Sequence, residues 1–468
     1  MSLDRLSSED ASILALESPT VAGHTCKLIV LDPPAGGTRP TVSELRAHIE
    51  ARLDAAPRLR RRLAPTPLGL APPAWVDDDA FDLARHVRRL PVGRGPLDVG
   101  RLRALMAHEM EQRLDRAHPL WSLHVAEELD DGRAALLWKV HHALADGSEV
   151  MRLGATLLWD EEPDTAVGGG GEWRPEPAPG TLGLVAAALR ERAGGLAGDA
   201  AAAARGAASP RGWRAAAGEA RRLPGAVVRD LLPTQGPSPL DASIGTRRDV
   251  AFASTSLETL KRVEHAQAER TTVNDVLLAL VTGALRRWIS HHGGEPHEIH
   301  AKIPVSLHDR HAHPDALANR DSFLCVGLPL DEPDPLARVR AVAAETRERK
   351  REHDAQTLDA LFRDMRHMPR PISRLAARLT GGPRVFALNV SNVPGPAGPR
   401  RVLGAPVTGM WSLAEIGERH ALRIAAVSLD GTLYLGLTAD AAAVADLDVI
   451  AAGLEAEAAE LERALGGP

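Results

Sequence analysis

Ala134 to Val140 forms a short apolar run that ends on His141-His142-Ala143-Leu144-Ala145-Asp146-Gly147. The run predicts a buried strand. Side chains alternate between the faces of a strand, so adjacent histidines at its end point opposite ways and only one reaches a given cavity. An imidazole there can take a proton near neutral pH, and a carboxylate four residues on can brace the turn that holds it. Gly147 suits a tight backbone at such a turn. Ser148 is the expected cap of a helix through Leu158, with Val150, Leu153, Leu157 and Leu158 as its apolar positions. The local picture is strand, histidine-bearing turn, helix. Two other readings stand beside it: a metal site, and a histidine held in a packed turn without chemistry. Diverging histidines do not easily share an ion, and no nearby Cys or His completes a usual ligand set, so no metal is expected.

A chain of 468 residues with 44% hydrophobic content suffices for two domains, each with its own core. The net charge of −6 supplies no basic footprint, so nucleic acid is not an expected partner. Cys26 and Cys325 lie far apart without CxxC spacing, which fits a reducing compartment and no disulfide framework. Met1 to Ser18 lacks the basic and apolar blocks of a secretory signal. No uncharged run reaches the roughly 18 apolar residues that a spanning helix needs. Val273 to Trp288 comes nearest, and Asp275, Arg286 and Arg287 interrupt it. The expected location is cytoplasmic, with peripheral attachment to the inner face of a membrane or to lipid inclusions left open.

The expected organisation is one unit over residues 1–160, a linker over 161–240 and a second unit over 241–468. In the first, Thr25 to Leu31 predicts a strand, and Val42 to Leu53 a helix with Leu45, Ile49 and Leu53 on one face. Arg58 to Arg62 is a basic cluster, either a solvated patch or an attractor for the phosphates of a ligand or for anionic lipid. Gly168 to Gly171 with Pro175, Pro177 and Pro179 marks the linker, and Ala-rich stretches at Leu182 to Arg205 and Gly212 to Leu232 follow. Thr181 to Leu232 holds eight arginines against four acids, which fits a basic amphipathic piece on an anionic lipid surface or a connector packed on both units. In the second unit Thr272 and Asp275 predict a capping box. Val276, Leu277, Leu280, Val281, Ala284, Leu285 and Trp288 then keep a helical period. Arg423 to Thr438 predicts a hairpin around Asp430-Gly431, a favoured type I′ pair, and a helix with Leu447, Ile450, Leu454, Leu461 and Leu465 on one stripe closes the chain.

The seven residues from His141 resemble HHxxxDG, the signature of the acyl-CoA-dependent acyltransferase superfamily. Further blocks narrow the resemblance to the bacterial wax ester synthase/diacylglycerol acyltransferase family. Leu114-Asp115-Arg116-Ala117-His118-Pro119-Leu120-Trp121 resembles its LDRxxPLW block, Thr272-Val273-Asn274-Asp275-Val276 its TVNDV block, and Ser391-Asn392-Val393-Pro394-Gly395-Pro396 its SNVPGP block. Pro304-Val305-Ser306, Asn319, Glu17-Ser18-Pro19-Thr20 with His24, and Trp75-Val76-Asp77-Asp78 with Phe81-Asp82 also fit, in family order along nearly the whole chain. Departures are His308 where an Arg is frequent (the nearest is Arg310), Ala318 in place of a Gly, and Asp241 where an Asn is common.

The resemblance implies two chloramphenicol acetyltransferase-like α/β lobes with an active-site tunnel between them. It implies transfer of a long-chain acyl group from acyl-CoA, as substrate and without a cofactor, to a lipid alcohol such as diacylglycerol, and to long-chain alcohols. His142 is the implied general base. Asp146 is expected to hold the turn through an Arg partner, and His141 to be structural. Asn274 is either a polar contact near the tunnel or part of a helix start, and Gly147 shapes the backbone. The sequence contains neither a GxSxG turn nor a Cys/His signature for a covalent step, so both substrates are expected to bind together. An acyltransferase acting on a polyketide or other complex-lipid hydroxyl, and a non-catalytic lipid-binding protein, remain as alternatives.

Overall fold

Among the described residues, alternating apolar positions build two six-stranded sheets. The structure, a computed structural model, describes residues 3–34, 36–90, 96–161, 173–207, 238–306, 321–351 and 385–466. The first half supplies β1 (His24–Leu31), β2 (Arg61–Ala64), β3 (Ala74–Asp77), β4 (Val87–Arg89), β5 (Trp121–Ala126) and β6 (Ala134–His141). The second half supplies β7 (Arg248–Ser256), β8 (Ile299–Ser306), β9 (Asp321–Leu328), β10 (Leu388–Val393), β11 (Arg401–Val402), β12 (Ala405–Ala414), β13 (Leu422–Leu429) and β14 (Thr432–Asp440). The first helices are α1 (Ser8–Leu16), α2 (Val42–Glu50), α3 (Leu83–His86), α4 (Val99–Glu111), α5 (Gly147–Leu158) and α6 (Thr181–Ala207). Then come α7 (Leu257–Ala266), α8 (Val273–His291), α9 (Pro335–Arg351) and α10 (Leu447–Ala464).

The first sheet runs β11-β12-β1-β6-β5-β4 and the second β7-β14-β13-β10-β8-β9, with β2 and β3 as a separate pair. Both faces of the central strands β1, β5 and β6 of the first sheet are buried. Cys26, Leu28, Val30 and Leu137 pack on Leu102, Met106 and Met110 of α4. Ile29, Leu31, Trp138 and Val140 pack with Leu45 and Ile49 of α2 and with Val150, Leu153 and Leu157 of α5. In the second sheet Leu388, Val390, Leu422 and Ile424 join α8 and α10 in one core.

The two lobes are joined by an exchange of strands. β11 and β12 belong to the chain after residue 241, yet β12 pairs antiparallel with β1 and completes the first sheet. The expected division at residue 240 did not include this exchange. β12 also lies on the open face of the second sheet. The hydroxyl of Tyr434 on β14 donates to Thr408 O at 3.0 Å, and Trp411 Nε1 donates to Ala253 O at 3.1 Å.

The expected strand before the histidines extends one residue further, through His141, and the helix at Val42 ends at Glu50 rather than Leu53. Asp430 and Gly431 both have positive φ, 44° and 79°, as the expected hairpin turn requires. The Arg58 to Arg62 cluster is not a free cationic patch, because aspartates neutralise it. Arg60 pairs with Asp54, Arg61 with Asp77 at 3.1 Å, and Arg58 and Arg61 with Asp4 at 3.9 and 3.1 Å. The first Ala-rich stretch is helical as α6, whereas Gly212 to Leu232, with Arg211, Arg214, Arg221 and Arg222, lies outside the described residues, as do His308, Arg310, Ala318 and Asn319.

Candidate active site

β6 delivers the histidine pair, and the two rings diverge. His141 pairs with His24 on β1 and lies on the α4 side of the first sheet. Its Nδ1 accepts from the Ala143 backbone N–H at 2.9 Å, so the proton sits on Nε2, which donates to Glu17 Oε1 at 2.6 Å. Glu17 also pairs with Arg116 Nη2 at 2.7 Å. Burial alone would raise the Glu17 carboxyl, but the hydrogen bonds and charges of His141 and Arg116 outweigh it and hold the pKa below the usual value. His141 therefore braces the turn from within, through its own ring and through Glu17. Glu17 comes from the Glu17–Thr20 block and Arg116 from the LDRxxPLW block, both within the first lobe. Gly23, at φ 68°, passes so close that a Cβ there would lie 2.9 Å from His141 Nε2.

His142 opens the turn. Its backbone N–H donates to Gly23 O at 3.0 Å, which fixes the ring on the side opposite His141. The residue keeps some accessible surface, while its Nε2 is buried and has no hydrogen-bond partner. Burial, and then the charge of Arg423 with smaller effects of His141 and Lys27, pushes its pKa down to about 3. The imidazole is neutral at physiological pH.

Asp146 departs from expectation. Its partner is not an arginine among the described residues. Its Oδ1 accepts from the Glu149 backbone N–H at 2.7 Å and from the Ser148 hydroxyl at 2.7 Å. Asp146, not Ser148, is the N-cap of α5. Both residue types cap well, and the helix starts two residues earlier than the Ser148 reading required. Asparagine caps nearly as well as aspartate, so Asp146→Asn is expected to fold with little change. Asp146→Ala should lose about 0.5–2 kcal/mol in denaturant unfolding. An equal, large loss in both variants would show that the charge itself matters.

Gly147 is needed for space rather than for an unusual backbone. It lies in the first turn of α5, where a Cβ would come within 2.8 Å of Val393 Cγ2. Val393 belongs to the SNVPGP block on β10, so this contact brings the HHxxxDG turn of the first lobe against the second. Asn274 sits half-buried in the first turn of α8, behind the Thr272/Asp275 capping box. No hydrogen bond among the described residues joins it to the His142 turn. Asp275 is buried and accepts from Thr346 Oγ1 at 2.6 Å, so this block at least anchors α8 to α9.

Sequence reasoning assigned no role to Glu17, Arg116, Gly23, Lys27 or Arg423. Glu17 and Arg116 stood in recognisable blocks, but their pairing with His141 is long-range. Among the described residues no three His, Cys, Asp or Glu side chains converge as a metal set would.

The profile of the wax ester synthase/diacylglycerol acyltransferase catalytic domain matches residues 6–277, and that of the WS/DGAT C-terminal domain matches residues 317–462. A putative diacylglycerol O-acyltransferase of Mycobacterium tuberculosis is 34% identical over 98% of this chain and 96% of its own length. The chain belongs to the wax ester synthase/diacylglycerol acyltransferase family. The wax ester synthase/diacylglycerol acyltransferase of Marinobacter aquaeolei VT8 has the same fold, with a TM-score of 0.67 at 25% identity over 99% of this chain and 100% of that one. The first condensation domain of the calcium-dependent antibiotic synthetase shares the fold alone, with a TM-score of 0.60 at 16% identity over 98% and 95%. The expected pair of acyltransferase lobes is therefore the observed architecture.

Proposed function

We propose that this family member transfers a long-chain acyl group from acyl-CoA to diacylglycerol, giving triacylglycerol, and to long-chain alcohols, giving wax esters. The observation that carries the mechanism is the buried, unpartnered Nε2 of a neutral His142. A buried nitrogen without a partner costs about 1–3 kcal/mol, and an acceptor hydroxyl would complete it. His142 Nε2 takes the hydroxyl proton as the acceptor oxygen attacks the thioester carbonyl carbon. The C–S bond breaks on collapse, and the proton passes to the departing thiolate. Acyl-CoA enters as substrate, and no step requires a cofactor or a metal. His141, Glu17 and Asp146 position the turn and touch no reacting atom.

The acceptor is expected to meet the protein at a lipid surface. No helix among the described residues is long and apolar enough to cross a membrane. α6 buries Leu184 and Ala188 but leaves Leu182 85% and Leu189 54% exposed on one face. Leu68, 94% exposed, lies in the Pro67–Gly69 turn against which α6 packs. An apolar helix face of this kind can enter the headgroup region.

One assay tests both statements. Labelled palmitoyl-CoA is supplied with diacylglycerol, hexadecanol or a polyketide hydroxyl at equal concentrations. Triacylglycerol should dominate and wax ester should be measurable, because an apolar pocket discriminates by only about 1–3 kcal/mol per methylene. Transfer to the polyketide alone would move the protein to a tailoring role, and no transfer despite acyl-CoA binding would make it a lipid-binding protein. With diacylglycerol in vesicles, Leu182→Ser with Leu189→Ser should slow the reaction while detergent-dispersed acceptor reacts as before. Equal rates on vesicles would place lipid contact elsewhere.

A further inference from the structure

The open face of the second sheet carries a polar row where a core would be expected. Register places Lys302 on β8, Asn389 on β10, Arg423 on β13 and Thr438 on β14 side by side. The alternate residues Leu388, Val390, Leu422 and Ile424 face the opposite core. The row looks toward the first lobe, because Val393, on the same face of β10, lies against Gly147. A relay of backbone contacts ties it to the candidate base. Arg423 Nη1 donates to Glu415 O at 3.0 Å, Glu415 N–H donates to His24 O at 3.1 Å, and the neighbouring Gly23 O accepts the His142 N–H.

This row is electrostatically incomplete. Arg423 Nε is buried without a partner, and so is Thr438 Oγ1 beside it. Neither Arg423 nor Lys302 has a carboxylate partner among the described residues. The Lys302 ammonium lies over the Phe323 and Phe386 rings at 4.1 and 5.4 Å. The neighbouring Glu415 is already paired with Arg248 at 3.0 Å. The Glu415 carboxylate also acts on Arg423 but is engaged by Arg248, so an anion opposite the unpartnered Arg423 Nε would complete the guanidinium.

We propose that Arg423 is a catalytic residue that receives the negative charge developing on the thioester carbonyl oxygen, with Lys302 supporting it from the same row. This rests on the acyl-transfer reading above. As the acceptor oxygen forms its bond to the carbonyl carbon, the carbonyl π pair moves onto oxygen opposite Arg423, while the hydroxyl proton moves to His142 Nε2. When the C–S bond breaks, the pair returns to the carbonyl and the thiolate takes the proton. The titratable and charged groups facing His142 are Arg423 on β13, Lys27 and His24 on β1, and the adjacent His141; of these Arg423 and Lys27 are the cations. At rest the two cations disfavour an imidazolium. An oxyanion beside Arg423 cancels that effect as the proton arrives, so the base strengthens when it is needed.

The test compares Arg423→Met and Arg423→Lys in the full-length enzyme, with unfolding curves as the check on folding. Arg423→Met should lose about 10²–10³ in kcat, the usual worth of an oxyanion donor, with KM for acyl-CoA and acceptor nearly unchanged. Arg423→Lys should recover part of the loss. The acid limb of the pH–rate profile should move to higher pH in Arg423→Met, because removing the cation eases protonation of His142. A folded Arg423→Met with normal kcat, or a loss confined to KM, would overturn the proposal. A measurement on the unaltered enzyme stands even if the variants fail to fold. Hexadecylphosphonate, an anion on a long chain, should inhibit at least about tenfold more tightly than 2-octadecanone, an order expected for a charge-assisted contact. Equal inhibition would also overturn it. If the unaltered enzyme transfers no acyl group from acyl-CoA to any of the acceptors, the acyl-transfer reading fails. If only the Arg423 results fail, that reading stands.

Discussion

His142→Ala is expected to cut turnover by about 10²–10⁴ while leaving the fold intact, the range of a positioned acid/base group. The His142 ring donates no hydrogen bond from Nε2 and accepts none, so its loss leaves no buried partner stranded. His141→Ala should behave differently. It removes the acceptor of the Ala143 N–H and leaves Glu17 with Arg116 as its remaining partner, so stability and activity should fall together. Turnover and denaturant unfolding measured on the same preparations separate the two roles. Equal kinetic losses with both folds intact would undo the assignment, and a requirement for His141 alone would exchange the roles.

Arg248→Met should produce the largest loss of stability. Arg248 and Glu415 are both almost fully buried and meet at 3.0 Å where β7 approaches the end of β12. Arg248 also reaches Thr20 O in the first lobe and Gly245 O at 2.9 Å, so one guanidinium ties three segments. Removing one partner of a buried pair costs about 3–5 kcal/mol, because the other charge is left uncompensated. Burial already raises the Glu415 carboxyl above its usual pKa, with Arg248 acting against the shift. Without Arg248 the carboxyl rises further and takes a proton at low pH. The destabilisation should therefore be smaller at pH 5 than at pH 8, where the lone carboxylate must stay charged or bind a proton against the solution. Unfolding curves at the two pH values check the sign. A loss that is equal at both would show that packing, not charge, dominates.

Local physics made much of this protein legible in its sequence. The strand, turn and helix around His141 and His142 follow from one apolar run and one helical period. The Asp430-Gly431 hairpin and the Thr272/Asp275 cap follow from residues within a few positions of each other. Asp146 shows the limit of such reading, since Ser148 two residues on is an equally good cap and only the helix phase decides. Contacts between distant segments left no local trace. The pairing of Thr25 with Ala414, which carries a strand from one half of the chain into the other's sheet, is of this kind. So are the His141–Glu17–Arg116 chain and the approach of Val393 to Gly147. Arg423 was visible only as an alternating position in a hairpin, and its electrostatic reach to His142 depends on how the two lobes meet.

In the proposed reaction the acyl group passes directly from one bound substrate to the other, with His142 as the base. Initial rates with both substrates varied, together with the intact mass of protein quenched during turnover, test it most directly. Intersecting reciprocal plots and an unmodified protein mass are expected. Parallel plots with an acyl adduct on the protein would contradict it, because they require a covalent intermediate that a base alone does not form.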